Sequence, residues 1–259
     1  MDKENKVILA NVTGALFISL YGLFTWEYGK ANLNFHNEGW FSEDTKSGGA
    51  DKLGHMFSTY AFADLLGETY RDLGYDDAEA AKLSSISSWF LMLLMEIGDS
   101  SSPGHGFSYE DLVMNTAGAI LSYLLQKYPK LDDILDFRVA FQPGGKYKAD
   151  IFTNYESTDY IMAIQLNGFE TIKNHRYLKP LRFVEFQVGY RARGFDKDTS
   201  MVDKKSTEFF VAIGLNIPLG LKEISKKTKS KKLKTVVNTA SVISRYFQLP
   251  FTSLSSVNF

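Results

Sequence analysis

Residues 106–141, GFSYEDLVMNTAGAILSYLLQKYPKLDDILDFRVAF, change their periodicity midway, and that change sets the fold class. From Ser108 to Tyr128 apolar residues recur at helical spacing, whereas Phe137, Val139 and Phe141 alternate. The two-residue period returns at Tyr160, Met162, Ile164 and Leu166, at Val184, Phe186, Val188 and Tyr190, and at Phe209, Val211, Ile213, Leu215 and Ile217. Helices followed by four strand candidates predict an α+β chain. The expected organisation is a four-helix unit over 1–130 packed with an antiparallel β unit over 131–220, then a basic linker, helix and tail over 221–259. Several strands reach the ~10 residues of a membrane-spanning strand, but a membrane barrel normally needs eight or more, so a curved sheet is expected.

Upstream of the change, three further helices are predicted. Val7–Trp26, VILANVTGALFISLYGLFTW, is about long enough to cross a ~30 Å hydrocarbon core, although Asn11, Thr13 and Ser19 interrupt it. A membrane helix and a buried core helix are both open readings. Ala50–Leu73 and Asp76–Ile97 follow, and Gly54, Ala61, Ala63, Ala81, Ser84, Ser87, Gly118 and Ala119 allow close helix contacts.

Three polar motifs interrupt these apolar helices. Asp51 and His55 are four residues apart, Glu96 and Asp99 three, and Asp111 and Asn115 four, so each pair shares a helix face. Burying such groups costs several kcal/mol unless they are paired, which predicts one convergent cluster. A structural network, a mixed nitrogen–oxygen metal site and an acid–base centre all fit it. No H-E-x-x-H pattern is present. Ser108 with Asp111 also reads as an N-cap pair.

Twenty-nine basic against thirty acidic residues give no whole-chain reason to expect nucleic acid, and the absence of cysteine removes disulfides and thiolate chemistry. Lys222, Lys226, Lys227, Lys229, Lys231, Lys232 and Lys234 form a basic stretch that suits anionic lipid or solvent equally. Phe259, with Val257 two residues before it, is similar to the aromatic-ended last strand of outer-membrane proteins.

FHNEGWF (35–41), DKLGH (51–55), EIGD (96–99) and GFSYEDLVMNTAGA (106–119) occur in an order that resembles the YfiM-like bacterial envelope family over roughly residues 10–128. The order Asp51, Lys52, His55, then Glu96, then Asp111 and Asn115 is also similar to VanZ-like membrane proteins. The resemblance implies an envelope protein at the outer membrane or its periplasmic face, with the inner membrane as the alternative. Its implied partners are membrane lipid and a possible envelope protein. The catalytic candidates are His55, Asp51 and Glu96, and the binding or network candidates are Asp99, Asp111, Asn115 and Lys52. Cofactor and metal are left open, and no lipobox cysteine carries lipid anchoring over.

Overall fold

The computed structural model describes residues 2–142, 150, 152–198, 200, 202–249 and 252–258. The chain is α+β, and its contacts divide it into two compact units, Met1–Tyr128 and Pro129–Phe259. Phe259 lies outside the described residues.

The first unit is built on four long helices. Helix α1 (Lys3–Thr25) starts where the Asp2 carboxylate accepts from Asn5 N, and α3 (Asp77–Asp99) where Asp76 accepts from Glu79 N. Helix α2 (Ala50–Asp72) instead follows Gly49, whose φ of 81° suits the left-handed region that glycine enters freely. Helix α4 (Tyr109–Lys127) is capped as its sequence predicts, with Ser108 Oγ accepting from Asp111 N at 3.2 Å.

Helices α2, α3 and α4 pack against one another, while α1 lies mainly along α3. At Gly118 a Cβ would stand 2.2 Å from the Met56 carbonyl oxygen, so α2 and α4 touch backbone to backbone there. The α2 N-terminus, α3 C-terminus and α4 N-terminus therefore share one end of the three-helix core. Over that end, β1 (Phe35–His36) pairs in parallel with β2 (Phe107–Ser108), tying the loop before α2 to the start of α4.

The second unit holds a six-stranded sheet. Its strands are β3 (Leu135–Phe141), β4 (Thr158–Gln165), β5 (Val184–Arg193), β6 (Ser206–Leu215), β7 (Phe247–Gln248) and β8 (Ser253–Asn258), in the order β7-β3-β4-β5-β6-β8. The four strands expected from alternation are its antiparallel centre. The added β7 runs parallel to β3, and β8 pairs antiparallel with β6. Single-turn helices α5 (Pro129–Asp132) and α6 (Glu170–Asn174) flank the connections. The stretch read as a basic linker is helical: α7 (Ile217–Lys227), capped by Asn216, and α8 (Lys231–Tyr246), capped by Ser230, form a hairpin.

Alternation marks the two sheet faces, but not which one is buried. Phe186, Val188, Phe209, Val211, Ile213 and Leu215 are exposed, whereas Glu185 and Gln187 between them are buried. The face that carries Glu185 and Gln187 also buries Ile161, Phe210 and Ala212, and Arg138 satisfies its charges: the guanidinium reaches Glu185 at 3.0 Å, Asp136 at 2.9 Å and Gln248 at 2.9 Å. Arg191 and Arg193 pair with Glu208 and Asp159, and Arg182 pairs with Glu223.

Candidate functional site

The polar motifs meet at the shared end of the helical core. From α2 come Lys52 and His55, from the last turn of α3 Glu96 and Asp99, and from α4 Asp111 and Asn115. Glu96, Lys52 and Asn115 are essentially inaccessible, and His55, Asp99 and Asp111 are buried.

The groups fall into two neighbouring sets. In one, the Lys52 ammonium bonds to Glu38, sits 2.9 Å from Asp51 Oδ2 and lies 2.8 Å from Asp111 Oδ1. Burial would lower the Lys52 pKa, but Asp51, Asp111 and Glu38 outweigh it and raise it, so the ammonium stays charged. In the other set, His55 Nδ1 stands 3.1 Å from Glu96 Oε1, and Nε2 stands 3.8 Å from Asp111 Oδ2. Burial pulls the imidazole down, yet the Asp111 and Glu96 carboxylates hold its pKa up to about 10.

Glu96 and Asp99 occupy a helix end whose partial charge is negative, and no basic residue stands in that last turn. Two carboxylates there are unfavourable unless a cation faces them. Burial and the Glu96 charge accordingly raise the Asp99 pKa to about 8. His55 Nδ1 and Glu96 Oε1 answer each other, whereas Asp99 Oδ1 and Asn115 Nδ2 are buried without a hydrogen-bond partner of normal geometry among the described residues. Two such atoms in one cluster call for an explanation beyond packing.

Sequence spacing located the cluster but not its pairings. Asp51 pairs with Lys52 rather than primarily with His55, although the two are four apart on one helix. Asn115 accepts from Thr59 Oγ1 at 3.0 Å and so joins α4 to α2. Two participants were missed. Glu38 enters from the loop before α2, and its signal was the FHNEGWF segment. Tyr28 slots its ring between Gly22 of α1 and Gly98 of α3, where a Cβ would come within 2.0 and 2.1 Å of it. Its hydroxyl donates to the Met95 carbonyl oxygen at 3.2 Å, and burial followed by the Asp99 charge raises its pKa. The paired helical glycines were its sequence signal.

Among the described residues, two three-residue sets have ligand atoms within 4.8 Å of one another: His55, Glu96 and Asp111, and Glu38, Asp51 and Asp111. The Lys52 ammonium already touches all three residues of the second.

Residues 37–127 match the model of a family described as Predicted periplasmic lipoprotein (DUF2279). The matched stretch contains Glu38 and every cluster residue on α2, α3 and α4, and it supports a place in the cell envelope. No curated protein and no solved structure matches the chain.

Proposed function

We propose that this is a bacterial envelope protein held against membrane lipid by α1, with a buried binding centre made by His55, Glu96, Asp99, Asp111 and Asn115. The observation that carries the membrane assignment is the outward surface of α1. Ile8, Leu9, Val12, Leu16, Phe17, Leu20, Leu23 and Phe24 are all exposed, Phe24 at 85 %. An apolar patch of that extent is rare on a protein surrounded by water. Helix α1 has a mean hydropathy of 1.9 with 11 % of its apolar window buried, whereas α3, the second helix of sufficient length and hydropathy, has 44 % buried. We therefore assign lipid contact to α1 and a core role to α3. The resemblance of DKLGH, EIGD and GFSYEDLVMN to YfiM-like envelope proteins supports the finer placement at the periplasmic face of the outer membrane.

A lipid- or glycan-directed hydrolase using His55, Asp51 and Glu96 is the other reading of the cluster. Binding is favoured over it because Asp51 is engaged by Lys52. Ser108 Oγ, a hydroxyl beside the cluster, is held by the α4 cap and by Glu110 at 3.0 Å.

Flotation with vesicles tests the membrane assignment. The full chain is expected to rise with the vesicles, and a variant with Leu16, Phe17, Leu20 and Phe24 changed to Gln is expected to stay in the dense fraction. A folded variant that floats as well as the parent would remove α1 as the attachment.

A further inference from the structure

We propose that His55, Glu96 and Asp111 bind one divalent transition-metal cation of the zinc class. The inference rests on the reading of the cluster as a binding centre and names its ligand.

Geometry supports it first. His55 Nδ1 and Glu96 Oε1 are buried and face each other at 3.1 Å, while Asp99 Oδ1 and Asn115 Nδ2 in the same cluster are buried without a hydrogen-bond partner of normal geometry. Two ligand atoms each about 2.1 Å from one ion, with bonds at about a right angle, stand at about that separation. One atom each from His55, Glu96 and Asp111 lie within 4.8 Å of one another, so a third ligand is at hand.

Charge supports it independently. Glu38, Asp51, Glu96, Asp99 and Asp111 gather around Lys52 and His55 at the negative end of α3. Lys52 serves the Glu38, Asp51 and Asp111 side, while on the other side Glu96 takes Ser108 N and Asp99 takes Tyr28, with the imidazole as the cationic group facing them. A cation there would neutralise carboxylates that the helix end disfavours. The ligand type follows from the donors, because imidazole with carboxylate suits zinc and its neighbours, whereas calcium and magnesium take oxygen ligands. Asn115, one helical turn after Asp111 on α4, has its Nδ2 buried without a hydrogen-bond partner.

The test is titration of the purified, chelator-treated full chain with Zn²⁺ and Co²⁺, with Mg²⁺ and Ca²⁺ as separate arms. One Zn²⁺ per chain is expected, along with a visible Co²⁺ absorption band. His55→Gln and Glu96→Gln should each weaken binding at least tenfold, while Asp64→Asn, changed at a carboxylate bonded to Ser122, should bind as the parent does. Because the site variants can fail to fold, the ¹⁵N resonances of the His55 ring are followed in the unaltered protein, where Zn²⁺ should shift them. Unmoved resonances, binding of Mg²⁺ or Ca²⁺ alone, or full affinity in folded His55→Gln would each overturn the metal. In that event His55→Leu separates the readings. A more stable metal-free variant keeps the cluster as a site for another ligand, since binding residues are commonly held at a cost in stability. A variant that unfolds makes the cluster structural, and the binding centre falls with it.

Discussion

Lys52 and Arg138 show how far a single buried cation can organise its surroundings. Each stands at 1 % exposure among carboxylates from near and far in the chain: the adjacent Asp51 with the distant Glu38 and Asp111 for Lys52, and Asp136 on the same strand with the distant Glu185 for Arg138. Spacing along a helix predicts that Asp51 serves His55. The neighbouring ammonium takes it instead, because a buried lysine is stable only when several anions face it. For Arg138 the consequence is measurable. Arg138→Met leaves the buried Glu185 without its cation and Asp136 with Arg245 as its remaining one, and should destabilise the fold by about 3–5 kcal/mol near neutral pH. Burial already holds the Glu185 pKa above the usual carboxylate range despite the guanidinium, and losing that charge raises it further. A raised folded-state pKa favours the folded state at low pH, and that advantage is lost as pH rises through it. The deficit of the variant should therefore shrink as pH falls from neutral towards the ordinary glutamate value of about 4.3. Denaturant titrations of both proteins across that range decide it, and a deficit that grows on acidification would contradict the argument.

Helix contacts follow from small residues, and the α2–α4 contact is the closest. Gly118 faces the Met56 carbonyl, which cannot rotate away as a side chain would. Gly118→Ala should therefore cost about 1–3 kcal/mol or more by forcing the helices apart, although alanine favours an isolated helix by about 1 kcal/mol over glycine. A lower denaturation midpoint at unchanged slope is the expected result. A variant as stable as the parent would mean that the contact yields without cost. The three long core helices lie within two residues of their expected boundaries because capping and apolar spacing are local. Strand β7 was not legible, and β8 was signalled only by Val257 in the C-terminal strand-like pattern. A two-residue strand has no period, and Ser253 and Ser255 carry no apolar alternation, so both depend on the edges offered by β3 and β6.

Over the whole chain, apolar side chains outward recur in both units. In the second, α7 and α8 expose Ile224, Leu233, Val236, Val242 and Ile243 beside exposed lysines, the composition of helices that lie in a membrane interface. Changing Lys226, Lys227, Lys231 and Lys232 to Gln should remove the salt-sensitive part of binding to anionic vesicles and leave the part supplied by α1. Flotation at low and high salt measures the two contributions. Unchanged salt dependence in the variant would assign those lysines to solvent, since attraction between exposed charges is screened over about 8 Å at physiological salt.

The amino-acid sequence by itself determined the α+β class, the long helices, the central strands and the residues from which the polar cluster is drawn. All of these follow from periodicity and capping, interactions that span a few residues. Tertiary structure alone decided that Glu38 and Tyr28 join the cluster, that Asp51 serves Lys52, and that on β5 Glu185 and Gln187 are buried while Phe186 and Val188 are exposed. Those outcomes turn on charges and surfaces brought together from distant parts of the chain. A buried charge is stabilised by whichever opposite charge the fold places within a few ångströms, and spacing along one helix does not specify that partner.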